Sequence, residues 1–150
     1  MIKQSLIALL IIFVFSCPCR SENINTSEVR LYSEALFLLN TGKYDESLLK
    51  FDSLLISNPN NVDALTGKTK LLIEIGSIDE AIKICDQVYI IDQQSNENKV
   101  NKAIALYSQN KFSESLIWLN EVIENNNQNN ITLIQLKAIS LINLNKTEEA

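Results

Sequence analysis

Gly42-Lys43-Tyr44-Asp45-Glu46-Ser47-Leu48 returns 34 residues later as Gly76-Ser77-Ile78-Asp79-Glu80-Ala81-Ile82, and 34 residues after that as Asn110-Lys111-Phe112-Ser113-Glu114-Ser115-Leu116. A fourth copy, one residue late, reads Asn145-Lys146-Thr147-Glu148-Glu149-Ala150. Each copy carries a glutamate, then a small residue; in the first three an aliphatic residue follows. Self-similarity at a fixed period of this size marks stacked supersecondary units. Gly42 and Gly76 stand where a chain turning between helices needs a positive φ, and Asn110 and Asn145 are the next best residues for that conformation. Ser77 with Glu80 is spaced as a capping box opening a helix. Asn58-Pro59-Asn60-Asn61 is turn chemistry, because proline fixes φ and asparagine tolerates turn conformations.

The period and pattern resemble the tetratricopeptide repeat. On that frame the repeats are 28–61, 62–95, 96–129 and a partial 131–150, forming a domain over 28–150. The small residue of each first helix falls at Ala35, Thr69, Ala103 and Ala138, and its aliphatic companion at Leu38, Leu72, Leu106 and Leu141. The small residue of each second helix falls at Ser47, Ala81, Ser115 and Ala150, followed by Phe51, Cys85 and Leu119. Small residues let antiparallel helices approach, since interaxial distance follows the side chains at the contact. Helices are expected near 29–41, 45–57, 62–75, 79–92, 96–109, 113–125 and 131–144, with no strand. The fold class implied is all-α, a right-handed superhelical solenoid of antiparallel helix pairs with three full repeats and part of a fourth.

Composition excludes several functions. The 150 residues contain 13 Lys+Arg, 18 Asp+Glu and no His, for a formal net charge of −5. The acidic balance argues against a nucleic-acid surface, which must neutralise phosphates. Without histidine there is no Ser-His or Cys-His pair, and the commonest metal ligand is missing. No glycine-rich phosphate loop or cluster of metal ligands occurs, so neither a cofactor nor an enzymatic activity is expected. Cys85 occupies a core slot of the repeat rather than a nucleophile's setting. Trp118, on a second helix, reads as core or convex packing. The polar run 125–130 reads as a solvated turn between repeats.

The N-terminus reads as a targeting segment. Lys3 precedes Leu6–Phe15, ten apolar residues in a row. As a helix they span roughly 15 Å against about 30 Å of bilayer hydrocarbon, which suits a signal peptide better than a membrane span. Val14-Phe15-Ser16-Cys17 resembles the lipobox of bacterial lipoproteins. That resemblance implies a signal peptide at 1–16, lipidation of Cys17, a linker at 17–27 and an exported, membrane-anchored protein of the cell envelope. Ordinary cleavage nearby would instead leave a periplasmic or secreted protein. Cys17 and Cys19 flank Pro18 too closely for an unstrained disulfide.

In stacked helical hairpins the first helices line a concave surface. The resemblance places partner-contacting residues at Tyr32, Leu36 and Asn40, at Asp63, Thr66 and Lys70, and at Glu97, Val100, Ile104 and Tyr107. The co-chaperone subfamily grips a C-terminal carboxylate with Lys, Asn and Arg; Tyr32 and Leu36, then Glu97 and Asn101, do not make such a clamp. The expected function is a non-catalytic scaffold that holds a protein or peptide partner in the groove. The alternative is the helical accessory part of a longer protein with a catalytic domain downstream. The segment 131–144 is apolar on nearly every side, which suggests that the array continues or that another copy covers it by self-association.

Overall fold

The computed structural model describes residues 26–126 and 130–148, and they form seven α-helices and no strand. These are α1 (Thr26–Asn40), α2 (Tyr44–Ser57), α3 (Val62–Glu74), α4 (Ile78–Ile91), α5 (Asn96–Ser108), α6 (Phe112–Asn126) and α7 (Ile131–Glu148). The all-helical solenoid expected from the 34-residue period is present. The signal peptide 1–16, the lipidation residue Cys17, most of the 17–27 linker and positions 127–129 of the polar run lie outside the described residues.

Three hairpin turns share one geometry. Gly42, Gly76 and Asn110 have φ of 76°, 79° and 61°. Each leaves its helix through a paired bond set that satisfies the last carbonyls. The amides of Lys43, Ser77 and Lys111 donate to Leu38, Leu72 and Leu106 oxygens at 2.9, 2.8 and 3.0 Å. Those of Gly42, Gly76 and Asn110 donate to Leu39, Ile73 and Tyr107. The connections at the other end of each hairpin use side-chain caps. Asn61 Oδ1 accepts from the Ala64 amide at 3.0 Å, and Ser95 Oγ accepts from the Asn98 amide at 3.3 Å. Ser77 stands at the N-cap of α4 but its side chain makes no capping bond, so the expected capping box does not form.

The small-residue slots do more than save space. Ser47 Oγ donates to the Ala35 carbonyl and Ser115 Oγ to the Ala103 carbonyl, both at 2.8 Å and fully buried. Each bond ties the two helices of a hairpin together. In the middle hairpin the small partner is Ala81, and the Thr69 hydroxyl bonds its own helix at Leu65.

Packing runs in series along the array. One cluster joins Ala35, Leu39, Phe51, Leu54, Ala64 and Leu71; a second joins Leu65, Leu72, Ala81, Ile84 and Val88; a third joins Ala103, Leu119, Val122 and Leu133. Phe51 wedges between the first and second hairpins onto Gly67, where an added Cβ would lie 2.5 Å from the ring. A side chain there would displace the ring, so the missing Cβ sets the spacing of the first two repeats.

The last helix departs from expectation. It was to end at residue 144, with Asn145 turning the chain into another second helix. Instead α7 continues through Asn145 to Glu148. The earlier second helices open on Tyr44, Ile78 and Phe112, large apolar side chains that anchor the return; Thr147 holds that place in the fourth copy. Ala138, expected in a buried slot, is exposed for the same reason: no returning helix covers it among the described residues.

Candidate interaction groove

Contacts of α3 with both α1 and α5 set the three first helices side by side, with the second helices packed between successive first helices. Along the shared face lie two neighbouring hollows. The first, about 460 Å³, is walled by Leu39, Asn40, Tyr44, Lys70, Ile73, Glu74, Asn101 and Ile104. The second, about 440 Å³, runs from Lys70, Glu97, Val100, Asn101 and Ile104 to Thr132 and Leu133 of α7. Lys70, Asn101 and Ile104 border both. Both are open troughs.

The polar groups of the trough are unevenly satisfied. Lys70 Nζ forms an ion pair with Glu97 across α3 and α5. Asn101 is only 4% exposed, yet its Nδ2 has no hydrogen-bond partner in the protein. A buried donor left unpaired costs about 1–3 kcal/mol. Thr66 Oγ1 and Asn98 Oδ1 are buried and unpartnered as well, while Asn98 Nδ2 donates to the Cys85 carbonyl at 3.0 Å. Tyr32 packs edge-on against Phe51, with ring centroids 6.2 Å apart. Burial first, then the charges of Asp63 and Glu97, raise its hydroxyl above the ordinary tyrosine pKa.

The ten groove positions named from sequence separate into groups. Asn40, Lys70 and Ile104 border the first hollow, and Lys70, Glu97, Val100 and Ile104 the second. Tyr32 and Leu36 are half-buried against the first core cluster, Asp63 is exposed nearby, and Thr66 is buried. Tyr107 packs at a tilt against Phe112, ring centroids 5.4 Å apart, and accepts a bond from Asn143 Nδ2, so α7 engages its hydroxyl. Asn101 was not among the ten. It follows Glu97 by four residues and precedes Ile104 by three, one helical face that the spacing alone could have revealed.

Residues elsewhere are structural. Cys85 is fully buried, and burial pushes its thiol up to about 12. Trp118 meets Tyr89 edge-on at 5.3 Å and carries Lys102 Nζ 4.2 Å above its ring. Lys102 also pairs with Asp86, and Lys99, 2% exposed, pairs with Glu121 at 2.8 Å. No group of three or more candidate metal ligands occurs among the described residues. None of the described helices is long and apolar enough to cross a membrane.

No protein-family model and no curated protein sequence matches the chain. Solved structures do match in shape. The first tetratricopeptide repeat domain of human RPAP3 superposes with a TM-score of 0.76 at 16% identity, covering 82% of this chain and 96% of that one. The fold is that of a tetratricopeptide repeat domain. The Yersinia enterocolitica type III secretion translocator chaperone SycD, in an alternative dimer, gives a TM-score of 0.71 at 19% identity, covering 82% and 96%. The second repeat domain of human RPAP3, in complex with the HSP70 peptide SGPTIEEVD, gives 0.69 at 14% identity, covering 77% and 96%.

Proposed function

We propose that this tetratricopeptide repeat domain is a non-catalytic scaffold that holds a segment of another polypeptide along its concave trough. The observation that carries this is the pair of adjoining hollows bordered by Lys70, Asn101 and Ile104. A trough with polar edges and aliphatic walls suits an extended chain. The peptide complex of the human RPAP3 domain supports the reading from outside this chain. Ile104→Trp, which fills both hollows, should abolish capture of a partner from a cell-envelope extract. Ile117→Trp, at a site 65% exposed outside both hollows, should leave capture intact. Equal capture by both variants would overturn the proposal.

The setting we propose is the cell envelope, with the domain tethered through acyl chains on Cys17. Each buried methylene contributes about 0.8 kcal/mol, so several chains together hold a protein at a membrane. The intact mass of membrane-extracted protein decides this: acyl mass on Cys17 supports it, and an unmodified mature terminus refutes it.

A second interaction has its own observation. On α7, Ile131, Ile134, Leu141 and Ile142 are 71%, 46%, 44% and 55% exposed, around the exposed Ala138. Small at its centre and large at both ends, this stripe matches itself when two copies pair antiparallel, so we propose self-association through it. Sedimentation should show a dimer that Leu141→Glu dissociates; a monomer at every concentration refutes it.

A further inference from the structure

We infer that the trough selects an extended segment carrying basic and aliphatic side chains. The inference rests on the groove reading above and adds the chemistry of the guest. Two observations carry it together.

The first is charge. Glu74 borders the first hollow and Glu97 the second, and Asp63 stands exposed on the same helix as Lys70. Lys70 is the only cation bordering either hollow among the described residues, and it is already paired with Glu97. A carboxylate entering here meets acidic neighbours and no free cation, whereas an ammonium or guanidinium finds Glu74 at one end and can share Glu97 with Lys70 at the other.

The second is the lining. Ile73, Val100 and Ile104 are apolar and only half-buried, leaving surface for aliphatic side chains between the two acids.

The selection is readable by fluorescence anisotropy on the full-length chain. Three labelled nonapeptides serve as probes: alternating Lys and Leu with blocked ends, alternating Ser and Leu with blocked ends, and alternating Glu and Leu with a free carboxylate. The basic probe should bind at least tenfold tighter than the acidic one, with the difference shrinking in 0.5 M salt as screening tightens. The double variant Glu74→Gln/Glu97→Gln, exposed and safe for the fold, should remove the preference while the neutral probe still binds.

Acidic binding equal to or tighter than basic, lost in Ile104→Trp, would leave the groove standing and overturn the selection. Basic binding untouched by both Ile104→Trp and the double glutamine variant would be general attraction to an acidic protein, and would overturn it too. Failure of all three probes to bind would overturn both the selection and the groove reading.

Discussion

Placing a methyl group at Gly67 tests the joint on which the first two hairpins turn. In Gly67→Ala the new Cβ falls 2.5 and 2.6 Å from Cε1 and Cζ of Phe51. Carbon atoms at rest sit about 3.5–4.0 Å apart, so the ring must retreat by about 1 Å. It has no free space, being fully buried among Ala35, Leu39, Leu54, Ala64 and Leu71 with Tyr32 at its edge. Overpacking of this kind costs about 1–3 kcal/mol. Against it, alanine is about 1 kcal/mol better than glycine inside a helix. The expected net is a loss of about 1 kcal/mol, or about 3–5 °C in Tm for a domain of this size.

Urea denaturation of four proteins (wild type, Gly67→Ala, Phe51→Leu and the double variant) separates the two effects. In the Phe51→Leu background the clash is gone, so Gly67→Ala should stabilise by about 1 kcal/mol. The coupling between the two sites should then exceed the roughly 0.5 kcal/mol expected of independent positions. A stabilising Gly67→Ala in the presence of Phe51 would refute the close approach and, with it, this account of how the first two repeats are spaced.

Asn61→Ala should cost about 1 kcal/mol by removing the cap on α3, whereas Ser77→Ala should stay within about 0.5 kcal/mol because no capping bond is lost; thermal melts compare them directly. Ser47→Ala and Ser115→Ala should each cost about 1 kcal/mol, the net worth of one buried hydrogen bond, read from denaturation midpoints. Cys85 should resist alkylation at pH 8 in the native state and react at once when unfolded. Its folded pKa is raised to about 12 by burial, against about 8.5 in the unfolded chain. Through this group stability is full below about pH 8.5 and declines as pH rises towards about 12, because the unfolded chain releases the proton first. Cys85→Ala should lack that part of the alkaline slope in denaturation midpoints collected across the range.

Much of the architecture can be read directly because the repeat writes the same physical requirement three times. A positive-φ residue, a large apolar anchor two places later and a small residue three beyond that leave few alternatives to a helical hairpin. The readings that failed share a cause. Ser77 has the right neighbour for a capping box, but which of several local bonds a side chain makes is decided by the packed geometry around it. Asn145 has the right residue type for a turn; the turn itself depends on what the returning helix would bury, and Thr147 offers nothing comparable to Tyr44, Ile78 or Phe112. Ala138 inherits the same shortfall. Within the trough, Ile104 and Lys70 follow from helical spacing, whereas the isolation of Asn101 exists only once neighbouring helices enclose it. Burial and bonding of a polar side chain are properties of the assembled neighbours.

The outer wall of the second hollow is supplied by Thr132 and Leu133 of α7, which among the described residues packs chiefly on α6. A helix fastened on one side opens more readily than one packed on both. A guest resting against that wall would therefore act as a rivet, slowing amide exchange in α7 most of all, and any change that loosened α7 would be felt as weaker grip.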